Sequence, residues 1–133
     1  MILLDTHAAI WLITENAVLG PRSRRMIHSA VADGVLFVSA ITFWEIALLG
    51  SRRRLRPSRS PAEQRATVLN SGVHELPLTG EIAIRAVELD NLPGDPADRF
   101  IVATAIAHGA TLMTADEALL NWQHAVRRAD ASK

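Results

Sequence analysis

No cysteine occurs in the chain, which removes a disulfide framework, a thiolate metal site and a cysteine nucleophile together. That composition is compatible with a reducing compartment, and a cytoplasmic location is the expectation. Long apolar runs are missing too, and nothing approaches the roughly 18 residues that a bilayer crossing needs. The apolar N-terminus lacks a basic leader and is interrupted at Asp5. It reads as a buried strand and not as a signal peptide. Lysine is almost absent: Lys133 is the sole example, and every other basic side chain is arginine. Net charge is lacking as well, with 14 basic residues balanced by 14 acidic ones. Proteins that hold nucleic acid chiefly through its phosphates are usually basic, so any such contact here must be local. No glycine-rich loop fits a nucleoside triphosphate, and the five histidines fall at no metal-ligand spacing.

What is present is a globular composition. The chain has 133 residues, 49% hydrophobic and 21% charged, which suits one domain over residues 1–133 with one core. Short apolar runs alternate with helical patterns. Strands are expected at 1–4, 35–39, 73–76 and 110–113, and an edge strand at 125–129. Helices are expected at 6–13, 21–32, 42–49, 61–71, 79–90, 97–108 and 115–123. Pro21 and Pro61 suit first helical turns, and Gly50 and Gly72 read as helix stops. In the helix at 79–90, Ile82, Ala83, Ala86, Val87 and Leu89 fall mostly on one face. This alternation implies a mainly parallel sheet with helices on both faces.

Open α/β sheets bind ligands beyond the carboxyl ends of their strands. Four acids fall near that edge. Asp5 follows the first strand, and Glu45 lies in the first turn of the helix after the second. Asp98 opens the helix before the fourth strand, and Asp116 follows that strand. Each also has an ordinary explanation as a helix cap. Asp5 suits an N-cap, Thr42 to Glu45 matches a capping box, Asp95-Pro96-Ala97-Asp98 places an acid at N3, and Asp116 favours the start of the last helix. Carboxylates converging on one pocket repel each other and lose solvation, which a bound cation relieves. All-oxygen donors suit Mg²⁺ or Mn²⁺ and not zinc.

The motifs, in order, are Asp5-Thr6-His7 with Trp11-Leu12, and Ser39-Ala40-Ile41 with Trp44-Glu45-Ile46-Ala47. There follow Gly94-Asp95-Pro96-Ala97-Asp98-Arg99 with Ile101-Val102-Ala103-Thr104-Ala105, and Leu112-Met113-Thr114-Ala115-Asp116. The chain resembles the PIN-domain proteins in this series, and among them the VapC-type toxins of bacterial toxin–antitoxin pairs. The resemblance implies a five-stranded, mainly parallel sheet in a three-layer α/β/α sandwich. It implies an endoribonuclease that cuts RNA with Mg²⁺ (or Mn²⁺), with Asp5, Glu45, Asp98 and Asp116 catalytic. Of these, Asp5, Asp98 and Asp116 hold the metal, and Thr6 and Thr114 support the acids. Asp95 is the rival to Asp98. A VapB-like antitoxin and a homodimer are the partners implied.

Two other classes compete. One is an inactive PIN-fold binding module for RNA or an antitoxin. The other is a phosphatase or phosphoacceptor domain with Asp5 as nucleophile. Arg52, Arg53, Arg54, Arg56 and Arg59 crowd one segment, either to guide RNA phosphates or antitoxin, or as a solvated loop. Arg99 reads as a phosphate contact or an ion-pair partner. Trp11 and Trp44 read as core or dimer-interface residues.

Overall fold

The computed structural model describes residues 1–52, 59–92 and 96–133. Five parallel strands form one sheet: β1 (Ile2–Leu4), β2 (Leu36–Ser39), β3 (His74–Leu76), β4 (Thr111–Thr114) and β5 (Arg128–Asp130). Their order is β3-β2-β1-β4-β5. Helices α1 (Thr6–Ile13) and α2 (Pro21–Ala32) link β1 to β2, and α3 (Ile41–Arg52) and α4 (Pro61–Asn70) link β2 to β3. Helices α5 (Gly80–Glu88) and α6 (Pro96–His108) return to β4, and α7 (Glu117–Leu120) leads into β5.

The period of two along β1 explains the layers. Leu4 pairs in register with Val38 and Met113, and this face packs on Ala8, Ala9, Ile27, Ala30 and Val68 from α1, α2 and α4. Leu3 pairs with Phe37 and Leu112, and that face packs on Ile101, Val102 and Ala105 of α6 and Leu119 of α7. The strand carries apolar residues in succession because both its faces are covered. The expected α/β/α sandwich is therefore the observed one. Chain progress from β1 to β3 uses one face and the return to β4 and β5 uses the other, as right-handed crossovers require. The reversal of direction puts a crevice at the carboxyl ends of β1 and β4.

Several boundaries differ from expectation. Gly50 does not stop α3, which continues to Arg52. A glycine near a helix end costs only about 1 kcal/mol. Gly72 does end α4, at φ +87°, where a side chain is strained. The last helix is four residues and not nine. Asp116 caps its start and Asn121 its end, and the Arg128 guanidinium donates to the carbonyls of Leu119, Trp122 and His124 at and beyond that end. The edge strand is real but shifted towards the C-terminus. Its register follows the hydrogen bonds from Leu112 N to Arg127 O and from Ala131 N to Thr114 O. Helix α5 stops at Glu88. Its buried residues are Ile82 and Ala86, while Val87 is 82% exposed. Among the described residues no helix is long and apolar enough to cross a membrane.

Candidate active site

Four elements bring the expected acids to one place. Asp5, Glu45, Asp98 and Asp116 line a single cavity of about 350 Å³ with Thr6, His7, Trp11 and Ala115. Asp5 stands at the end of β1 and caps α1, its Oδ1 accepting from Ala8 N at 2.8 Å. Asp116 stands just past β4 and caps α7, its Oδ1 accepting from Ala118 N at 2.8 Å. The capping explanation of both residues is thus correct, and it does not compete with a place in the cleft. A carboxylate has two oxygens and about four lone-pair directions. Helix α3 packs against α1 and α6, which brings Glu45 and the first turn of α6, with Asp98, to the same opening.

Hydroxyl groups tie the acids together. Thr6 Oγ1 donates to Glu45 Oε1 at 2.5 Å and lies 3.2 Å from Thr42 Oγ1. With the Thr6 proton on Glu45, Thr42 donates to Thr6. Helix α3 begins at Ile41, so Thr42 is a buried helical residue and not the N-cap expected of it. Thr114 is fully buried; its Oγ1 accepts from Asp116 N at 3.1 Å and donates to the Asp5 carboxylate. One threonine therefore links the two acids that follow β1 and β4.

Asp5 is the most perturbed of the group. It is 6% exposed, and burial pushes its carboxyl above the ordinary value of 3.8. Asp116 adds to the rise, whereas Thr114, Ala8 and His7 oppose it. The cause is desolvation of the charged form in an acidic cleft. Only oxygen donors come from the four acids, which is the chemistry of a hard divalent cation. Among the described residues no three acidic or histidine side chains stand together as a ready-made metal cage. Mg²⁺ does not require one, because one or two carboxylates, waters and substrate phosphates suffice. The donor set fits on that basis, and the charge of Asp116 is felt at Asp5.

Other expectations are sharpened or replaced. Arg99 is not aimed at a phosphate: its guanidinium donates to the carbonyls of Ala86, Leu89 and Leu92. It fastens the end of α5 to the start of α6. Arg59 donates to Thr67 Oγ1 at 3.0 Å, and Arg53, Arg54 and Arg56 lie outside the described residues, as does Asp95. Trp11 packs against the core but also lines the cleft, with His7 tilted against it at 6.2 Å between ring centroids. That second role was not legible in sequence, because the i, i+4 spacing of His7 and Trp11 gives only a common side of α1. Trp44 is 54% exposed and so is not a core residue.

The chain matches the model of the PIN domain over residues 2–123, and it belongs to the PIN-domain family. It is 37% identical over 127 residues, 92% of each chain, to the Mycobacterium tuberculosis protein named Ribonuclease VapC22. Two solved structures share the fold. VapBC2 from Rickettsia felis, bound to a DNA fragment from its promoter, superposes with a TM-score of 0.70 at 17% identity, covering 97% of this chain and 98% of that one. DNA-bound VapBC from Salmonella typhimurium gives 0.70 at 20% identity, covering 97% and 96%.

Proposed function

We propose that this protein is a metal-dependent endoribonuclease and the toxin of a toxin–antitoxin pair. The observation that carries the reading is the convergence of Asp5, Glu45, Asp98 and Asp116, from four separate elements, on one cleft in a PIN-domain chain. The name of the 37% identical relative, a ribonuclease, supports the activity. The likeness to VapBC complexes supports a VapB-like antitoxin as partner.

RNA is the substrate in this reading, and Asp5, Asp98 and Asp116 hold Mg²⁺ or Mn²⁺. Such a cation, when bound, supplies activation of a water and neutralisation of charge on the phosphodiester. The chain's own residues prepare the cleft. The Ala8 and Thr114 bonds fix the Asp5 carboxylate, and the Ala118 bond fixes Asp116. Thr6 orients Glu45 so that its carboxylate is positioned to take a proton from an attacking water. Trp11 walls the cleft on one side. A homodimer in the cytoplasm completes the proposal, with half-exposed Trp44 as apolar surface that a partner would cover.

The test is cleavage of a labelled single-stranded RNA with Mg²⁺, with EDTA, and by Asp98→Asn in Mg²⁺. Cleavage is expected only by the unaltered chain in Mg²⁺. Equal cleavage in EDTA would overturn the metal mechanism, and full activity of Asp98→Asn would remove that residue from the site.

A further inference from the structure

A second cavity, about 570 Å³ and larger than the carboxylate cleft, also borders α7. Asp116 caps the start of that helix, while Ala118 and Asn121 further along it line the second cavity. The opposite wall is the end of α5 and the turn after it, with Asp90 and Asn91. Asp116 and Ala118 are two residues apart in sequence, so the start of α7 borders both cavities.

The walls are fixed from behind. Arg99 holds the carbonyls of Ala86, Leu89 and Leu92, and Arg128 holds those of Leu119, Trp122 and His124. The Trp122 indole N–H donates to Asp90 O at 3.1 Å and joins the two walls. His124 stacks on Trp122 with centroids 4.4 Å apart and planes within 5°. Its Nδ1 accepts from Val126 N, which leaves Nε2 as the N–H of the neutral ring. A site held this way loses little freedom on binding.

The lining defines the ligand. Among the described residues no arginine or lysine lines the cavity, which favours a base over a phosphate there. Carboxylates accept hydrogen bonds, carboxamides both donate and accept, and flat rings stack on bases. Glu88 and Asp90 supply carboxylates, and Asn91, Asn121 and Gln123 supply carboxamides. Among the bases, guanine presents adjacent N–H donors at N1 and N2 to a carboxylate and an O6 acceptor to an amide. Uracil offers one donor.

We propose that this cavity is a base subsite that takes an unpaired guanine of the RNA strand whose backbone crosses the carboxylate cleft. The inference rests on the nuclease reading for its substrate and deepens it by naming a specificity element.

The test titrates the full ¹⁵N-labelled chain, without metal, with guanosine, adenosine, cytidine and uridine. Guanosine should shift the Trp122 indole and the Asn121 and Gln123 carboxamide signals, and bind about tenfold or more tighter than uridine. Asp90→Asn should lose that preference with its amide spectrum otherwise intact, because the Asp90 carbonyl that holds Trp122 remains. No shift at these residues, or equal shifts with all four nucleosides, overturns the subsite. A parallel cleavage assay compares RNAs in which one guanine is replaced by inosine, which lacks the N2 amine. Cleavage that ignores every such change leaves the nuclease and removes the subsite. Guanosine binding by a chain that cuts no RNA leaves the base site and removes the nuclease.

Discussion

Asp5 ends a strand, caps a helix and faces an acidic cleft at the same time. Its raised pKa makes a signed statement about stability. Between the ordinary value of 3.8 and the higher folded value, the native state binds more protons than the unfolded chain. Metal-free stability therefore falls as pH rises through that window, and the full penalty stands above it. Asp5→Asn keeps the cap, since asparagine caps as well as aspartate, and removes the buried charge. Urea midpoints between about pH 4 and 7 in EDTA should fall with pH for the unaltered chain and stay flatter for the variant. The variant should be the more stable at neutral pH and inactive on RNA. Equal slopes would show that burial of this carboxyl has no cost. Thr114→Val deletes the hydroxyl between Asp5 and Asp116. It should cost about 1–3 kcal/mol, as expected when a buried N–H loses its acceptor, with activity reduced; an unchanged thermal midpoint would count against the link.

Helix α7 and the tail show where local pattern stops being enough. The apolar spacing after Asp116 extends well past the four residues that are helical. Arg128, at the start of β5, donates to carbonyls around the helix end, and no spacing rule anticipates a guanidinium arriving from the next strand. The start of α2 carries a comparable long-range tie. Gly20 N donates to Ala131 O, and Arg22 N to Lys133 O. A Cβ on Gly20 would stand 2.2 Å from the Lys133 carbonyl carbon, so the tail must move. Gly20→Ala should cost about 1–3 kcal/mol, in the range for overpacking, and should speed hydrogen exchange at Ala131 and Lys133. Exchange at the unaltered rate would mean that the tail does not depend on this contact. The αβ order itself was legible, because Leu3 and Leu4 need cover on opposite faces. Glu45 was legible only through motif resemblance, since its anchor is Thr6, 39 residues earlier.

The chain is charge-balanced overall and brings its four candidate acids to one cleft. Position relative to strands made Asp5 and Asp116 readable from sequence. Glu45 and Asp98 needed the packing of α3 against α1 and α6, which lies between residues too far apart for periodicity to join. The larger second cavity had no sequence signal, because its walls meet through backbone carbonyls held by Arg99 and Arg128. A cation site formed by the carboxylates, at which RNA is cut, makes cleavage depend on the divalent ion. The most direct measurement is the rate of RNA cleavage against Mg²⁺ concentration for the unaltered chain and for Asp116→Asn. The expected result is a saturable dependence that vanishes in EDTA, with Asp116→Asn needing more Mg²⁺ or failing outright. Cleavage at the same rate with and without divalent cation, or an identical curve for the variant, would contradict it.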